Sequence, residues 1–351
     1  MPVPPNDKVE QTDITDAKLD SLLDKIAEDV SKSIQHQLDD EELSAVHDLI
    51  CYQPSTGGKR LRPALAVLMG QALGGDYEQI IELATTAELL HNSSLVMDDV
   101  LDGDLVRRGK PTAHAMFGAG TAMMGGNILA LLAFKLGGRR GFPILNSLVG
   151  TASNLALGST EEFLFHEYNE ERYLRIIGLK TASLFKAPCE IGAVVAGAAR
   201  PEYEIAMKYG WSAGMLYQLT DDLVDILKTH NTGEPAGHMK NGTPTLAFIH
   251  AYTQLNSRPP VMRARGDTDI LALLDKFLKS PPLTRQEFEM VYEALLELGS
   301  IDYTNSKIEE YNKACHTCCT QLPVSRSRDY LAAMPRYMYR KQMAEADNPI
   351  V

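Results

Sequence analysis

Cysteine is scarce in this chain and odd in number, with five among 351 residues. A framework of paired disulfides is therefore not expected, and the count suits a reducing compartment such as the cytoplasm. Cys315, Cys318 and Cys319 flank His316 in the stretch CHTCC. A zinc site needs a second ligand pair elsewhere in the sequence, and none is evident, so these read as thiols on a C-terminal helix. Positive charge is also in deficit, with 34 Lys+Arg against 46 Asp+Glu and a formal net charge of -12. That excludes a general nucleic-acid binder, which needs a basic face. No apolar run approaches the roughly 18 residues that span a bilayer, so no transmembrane segment is expected. The nearest run, APCEIGAVVAGAA (187–199), is short and contains Glu190. The opening MPVPPNDKVEQTD has no apolar core, so no secretory signal peptide is expected either. Alternating strand patterns are missing, and no interior stretch rich in Pro, Gly or Ser reads as a linker.

What the chain does have is helical periodicity. Leu19, Leu22, Ile26, Val30 and Ile34 recur at three and four, the spacing of one helical face. Comparable spacing predicts helices over 41–51, 61–74, 77–101, 112–136, 142–157, 170–199, 201–229, 243–256, 267–279, 284–298, 303–322 and 325–343. Gly74-Gly75, Gly137-Gly138, Pro201 and Pro281-Pro282 fall where these helices should stop. The expectation is an all-α fold, a bundle of about a dozen helices forming one domain over 16–343. A disordered tail is expected at 1–15 and a short tail at 344–351.

Two acidic blocks stand out against this background. MDDVLDGD places Asp98, Asp99 and Asp102 at the end of one helix, and YQLTDDLVD places Asp221, Asp222 and Asp225 within another. Both have the pattern D-D-x-x-D. In a helix the first and last aspartates share a face, where like charges cost about 0.2–0.5 kcal/mol per pair. A solvated surface explains one such block; two, each following a long apolar stretch, point to a bound cation that offsets the repulsion. All-oxygen ligands suit Mg²⁺, which is held by few carboxylates together with substrate phosphates. A di-iron carboxylate bundle would use Glu with Glu-x-x-His pairs. Here EEFLFHE (161–167) places Glu162 and His166 four apart with no second copy, so that stretch reads as helix surface.

Basic residues accompany the blocks. GGKRLRP brings Lys59, Arg60 and Arg62 to the start of a helix, and RRGKPTAH follows the first block with Arg107 and Arg108. KTASLF adds Lys180 and Thr181, and His91 lies two helical turns before Asp98. Each group alone reads as solvated charge. Together with two carboxylate sets they suggest two polyanionic substrates, one held through Mg²⁺ and the other by side chains.

GGKRLRP, HNSSLVMDDVLDGDLVRRGKPTAH, KTASLF and YQLTDDLVD, in this order and at these separations, resemble the trans-isoprenyl diphosphate synthases over roughly residues 20–320. The closest likeness is to those making geranylgeranyl or longer diphosphates. The resemblance implies a helical fold with a deep central cavity, usually as a homodimer. It implies Mg²⁺, three ions per active site with substrate bound. It also implies the head-to-tail condensation of isopentenyl diphosphate with an allylic diphosphate. In that scheme Asp98 and Asp102, supported by Asp99, hold metal on one side, and Asp221 holds it on the other with Asp222 and Asp225 near. Arg107, Lys180, Thr181 and Gln218 contact the allylic substrate, and Lys59, Arg62, His91 and Arg108 hold isopentenyl diphosphate.

Product length in such enzymes depends partly on the residues before the first block. Ser93 and Ser94 lie about 6–7.5 Å back along the helix from Asp98, where short-chain enzymes resemble one another in carrying an aromatic. Two serines predict a product of twenty carbons or more, with Met123 and Met124 on a facing helix as candidates for a lower floor. One stretch departs from the family pattern. Where G-K-x-x-G-x-D and then G-K-x-T are common, this chain reads GEPAGHMKNGTPT (233–245). Glu234 and Thr243 replace lysines and the aspartate is missing, with Lys228 or Lys240 as candidate substitutes. A terpene cyclase of the same fold is the rival reading, disfavoured by the isopentenyl diphosphate set. A regulatory subunit of a heteromeric synthase is a third, disfavoured by the intact acidic blocks.

Overall fold

The computed structural model describes residues 14–164, 167–259 and 264–347. The expected tail therefore falls largely outside the described residues, as do His166 and the last four residues. The architecture is all-α, in chain order α1 (Asp16–Leu38), a 3₁₀ segment (Glu41–Val46), α2 (His47–Ser55), α3 (Leu61–Ala72) and α4 (Tyr77–Asp102). After a short hairpin come α5 (Ala113–Phe117), α6 (Ala119–Arg139), α7 (Phe142–Leu164), α8 (Glu170–Ile177), a π turn (Gly178–Ala182) and α9 (Ser183–Val195). The rest is α10 (Arg200–Thr232), α11 (His238–Asn241), α12 (Leu246–Ser257), α13 (Arg265–Lys279), α14 (Arg285–Glu297), α15 (Ser300–Cys319) and α16 (Arg326–Asp347).

The two acidic blocks lie on the two longest helices. α4 packs against α3, α6 and α9, and α10 packs against α9, α15 and α16, so α9 stands between them. α3 and α9 cross closely because Gly192 has no side chain: a Cβ there would lie 2.3 Å from the Ala66 carbonyl oxygen. One continuous core runs from Leu19, Ile26 and Val30 of α1 through Leu65, Leu68 and Met69 of α3 to Tyr209, Phe248 and Phe277. Asp76 caps α4 by accepting from the Gln79 N–H at 3.0 Å, and Gly103 ends it in the left-handed region at φ 69°. Pro335 inside α16 cannot donate to the Leu331 carbonyl. The Tyr209 hydroxyl donates to it instead, at 2.7 Å.

Several expectations are corrected. A two-residue antiparallel hairpin pairs Val106–Arg107 with Lys110–Pro111. Two-residue strands are too short to show alternation in the sequence. Its turn, Arg108-Gly109, has φ 54° and 72°, the left-handed pair of a type I′ turn, without the usual Asn-Gly. The expected helix 112–136 breaks at Gly118, and 170–199 is divided by the π turn. The last helix runs to Asp347 rather than ending at 343. Cys315, Cys318 and Cys319 do lie on a C-terminal helix, α15, and they are buried with Cys189 near Tyr209, where burial pushes the Cys315 and Cys319 thiols up. By length and composition α6 is one helix apolar enough to cross a membrane, although no uninterrupted apolar run announced it.

Candidate active site

The first block closes α4, where the helix dipole presents its negative end. Asp98, Asp99 and Asp102 thus sit where a helix least favours carboxylates. Asp98 is pushed up to about 6, first by burial and then by Asp102 and Glu162, with Lys180 opposing. Burial also raises Asp99 and Asp102. Asp99 is fully buried, and its Oδ1 accepts from Arg107 Nε at 2.5 Å. Its Oδ2 has no hydrogen-bond partner among the described residues. Arg107 is therefore tied to Asp99 and braces the block.

The second block lies on α10. Asp221 is pushed up to about 7 by burial and by the neighbouring Asp225 and Asp222. Its only direct partner among the described residues is Gln342 of α16, at 3.4 Å. Asp222 is differently placed. Its Oδ2 accepts from Tyr173 at 2.5 Å and its Oδ1 from Gln218 Nε2 at 2.7 Å, so both oxygens are engaged. Gln218 in turn accepts from the Thr181 hydroxyl at 2.7 Å. Asp225 Oδ2 accepts the backbone N–H of His238 at 3.0 Å.

Lys180 and Thr181 occupy the π turn. The extra residue in the turn interrupts the α-helical register, and such insertions recur at functional sites. Lys180 Nζ lies 2.6 Å from Glu162 Oε2 and 4.0 Å from Asp98 Oδ1. Burial opposes its charge, but Glu162 and Asp98 outweigh that and hold it above its ordinary value. A cleft here is lined by Glu162, Tyr173, Lys180, Thr181, Gln218, Asp222 and His238, with Ile176 and Ile177 supplying apolar wall.

The cations of GGKRLRP separate by role. Arg60, at φ 46°, turns into the core, where Nη1 meets Glu88 Oε1 at 2.5 Å and Nη2 the Pro54 carbonyl at 2.7 Å. Arg62 Nη1 meets His91 Nε2 at 2.9 Å, and its guanidinium lies 4.8 Å from the Phe185 ring centroid. Burial, then Arg62 and Arg108, drive His91 well below its ordinary value, so it is neutral and accepts from Arg62. Arg62 Nε and His91 Nδ1 are buried without partners among the described residues. Arg108 donates to the Gly57 carbonyl, which brings it over the same loop. Lys59 is half-exposed and pairs with Glu345 of α16 at 2.5 Å. Arg62, His91 and Arg108 thus lie together, whereas Lys59 is engaged by Glu345.

Sequence reasoning missed two residues. Glu162 was read as helix surface, but α7 carries it onto Lys180; its only signal was its place among long-range contacts that spacing does not encode. His238 lies in the divergent 233–245 stretch, with ring Nδ1 3.1 Å from Asp222 Oδ1 and 3.5 Å from Asp225 Oδ2. Burial lowers it, but Asp222 and Asp225 more than compensate and hold it near 10. Lys228 instead pairs with Glu345 at 3.6 Å, and Lys240 is exposed. Ser93 is buried, and Ser94 donates to the His91 carbonyl at 2.9 Å. Met123 and Met124 face outward on α6, the latter 58% exposed, so within this chain they close no cavity.

The residues present fit a divalent cation. The ligands are hard carboxylate oxygens, Asp98 and Asp221 are buried with their ionised forms disfavoured, and Asp99 keeps an unpartnered oxygen. Among the described residues no three His, Cys, Asp or Glu side chains converge on one point.

A family model described as polyprenyl synthetase matches residues 44–266. A geranylgeranyl pyrophosphate synthase of Geoglobus acetivorans is 28% identical over 323 residues, covering 89% of this chain and 96% of that one. An octaprenyl diphosphate synthase of Haemophilus influenzae is 29% identical, covering 90% and 94%. A polyprenyl synthase of Caulobacter crescentus, solved with calcium and isoprenyl diphosphate, superposes with a TM-score of 0.80 at 26% identity, covering 94% of this chain and 98% of that one. A family-model match over 44–266, on a fold shared over nearly the whole length, places this chain in the polyprenyl synthetase family of prenyltransferases.

Proposed function

We propose that this chain is a Mg²⁺-dependent trans-polyprenyl diphosphate synthase. It joins isopentenyl diphosphate head-to-tail to an allylic diphosphate and makes a product of twenty carbons or more, geranylgeranyl diphosphate first among them. The observation that carries this reading is the presence of two charged groups. Asp98 and Asp102 lie beside Lys180, while Arg62, His91 and Arg108 form a second charged group. A cyclase would need only the first group.

The hard step is departure of diphosphate from the allylic carbon. Preorganised positive charge where negative charge develops is commonly the largest catalytic contribution. Bound to Asp98, Asp102 and Asp221, with Asp99 and Asp225 behind them, Mg²⁺ would supply Lewis acidity and template the leaving group. Lys180 adds fixed charge, and the Thr181–Gln218–Asp222–Tyr173 chain holds the wall of the cleft in register. Arg62 and Arg108 hold the second diphosphate so that its double bond can attack the allylic carbon. The apolar wall at Ile176 and Ile177 keeps water from the cation.

We read the working form as a cytoplasmic homodimer. Five free thiols suit that compartment. α6 exposes Met123, Met124 and Leu131 and α7 exposes Val149 and Leu157, an apolar face that a second copy would cover. The decisive test incubates the protein and Mg²⁺ with isopentenyl diphosphate and dimethylallyl, geranyl or farnesyl diphosphate, then sizes the dephosphorylated products by mass. Linear prenyl alcohols of C20 or longer support the reading. A hydrocarbon formed without isopentenyl diphosphate supports a cyclase, and inactivity relieved only by a second synthase supports a regulatory subunit.

A further inference from the structure

The hairpin after α4 carries Arg107 and Arg108 at adjacent positions, yet its strands bury little. Leu105 is 64% and Val106 62% exposed, and Arg108, Lys110 and Pro111 are exposed too. Two paired residues per strand are too few to hold such a ribbon by themselves. Side-chain tethers hold it instead. Arg107 Nε donates to Asp99, Arg108 to the Gly57 carbonyl, Lys110 Nζ to the Ser55 carbonyl at 3.4 Å, and the Tyr52 hydroxyl to the Pro111 carbonyl at 2.7 Å. The ladder leaves that last carbonyl open. The Thr112 N–H donates to the Leu105 carbonyl at 3.0 Å, so in the alternating antiparallel pattern the Val106–Pro111 pair exchanges no hydrogen bonds and the Pro111 carbonyl points outward.

Three of these four tethers are cations that a polyanion would draw away. Tyr52 is the neutral one, and its ring is fixed by packing. It meets the Phe117 ring edge-on, with centroids 5.5 Å apart, and lies against the cluster of Val96, Ala113 and Ala122. Val96 belongs to α4, two residues before Asp98, so the hydroxyl is held in register with the helix of the first acidic block. We propose that Tyr52 is a positioning residue of this chain: by holding the Pro111 carbonyl, its hydroxyl keeps Arg108 in place when a diphosphate draws that arginine from Gly57. The proposal rests on the synthase reading and deepens it.

The test centres on Tyr52→Phe, which keeps the ring and removes the donor. It should raise the KM for isopentenyl diphosphate about two- to tenfold, the scale of one neutral hydrogen bond, with kcat and the urea midpoint unchanged. In an Arg108→Gln background the same change should raise that KM by less than about twofold, because the hydroxyl acts through the arginine. In the metal-free chain, Tyr52→Phe should speed amide exchange across 104–112 and weaken the binding of inorganic pyrophosphate, read by calorimetry. An unchanged KM, an equal loss with and without Arg108, or a loss that follows a fallen urea midpoint would each overturn the proposal. Unchanged amide exchange or unchanged pyrophosphate affinity would overturn it too. If the unsubstituted chain elongates no primer, the synthase reading fails, whereas the exchange and pyrophosphate measurements still decide the role of Tyr52.

Discussion

Lys180, on the π turn, and Asp98, one turn from the end of α4, approach to 4.0 Å across the cleft, while Glu162 holds the same ammonium at 2.6 Å. One cation thus serves two carboxylates, and Asp102 adds a third negative charge nearby. Without further positive charge the cleft is a poor host for a polyanion. The first two predictions follow from that imbalance.

Asp98→Asn and Asp221→Asn should each lower turnover by at least about a hundredfold, the scale of losing preorganised charge stabilisation. Removing a disfavoured buried charge should leave the melting temperature of the metal-free protein unchanged or raised. Steady-state rates alongside thermal unfolding check both, and near-normal rates in either variant would remove that aspartate from the mechanism.

The same carboxylates set a pH dependence. Asp98 titrates near 6 and Asp221 near 7 in the folded chain, against an ordinary 3.8. Between about pH 4 and 7 the folded state therefore binds more protons than the unfolded state, and stability falls as pH rises through that window. Metal-free protein should melt lower at pH 7.5 than at pH 5.5, and the difference should shrink in the Asp98→Asn/Asp221→Asn double variant. A difference of the same size in the double variant would assign it to other groups.

In the proposed reading Lys59 binds isopentenyl diphosphate, which requires it to leave Glu345. Half-exposed ion pairs contribute about 0.2–1 kcal/mol. Glu345→Gln should therefore lower the KM for isopentenyl diphosphate by up to about fivefold, with the allylic KM unchanged. A raised KM would show that Glu345 orients Lys59 rather than competing for it.

Arg60 and Glu88 pair at 2.5 Å with side chains only 4% and 5% exposed. Arg60→Ala would leave Glu88 buried without its partner, at a cost of about 3–5 kcal/mol. Urea midpoints should fall accordingly. The double variant Arg60→Met/Glu88→Leu should recover much of the loss, and failure to recover would show that the left-handed turn at Arg60 matters more than the charge.

Ser93→Phe or Ser94→Phe should shorten the product by one or more isoprene units, read by mass of the dephosphorylated chain. Unchanged length from both variants would place the floor of the cavity elsewhere.

The sequence by itself determined the helical class, because apolar residues recur at three and four along nearly every segment. It also located both aspartate blocks, because i, i+4 spacing is a local property of a helix. The roles within each cluster needed the fold. Nothing in GGKRLRP distinguishes Arg60 from Arg62; a positive φ turns the first onto Glu88 and leaves the second beside His91. Nothing in the second block distinguishes Asp222 from Asp221, yet Tyr173 and Gln218 occupy both oxygens of one and leave the other nearly free. Glu162 and His238 reach the cleft from segments 18 residues from Lys180 and 13 residues from Asp225 respectively. Such contacts arise from how helices cross and where a glycine allows close approach, and neither leaves a periodic trace in the chain.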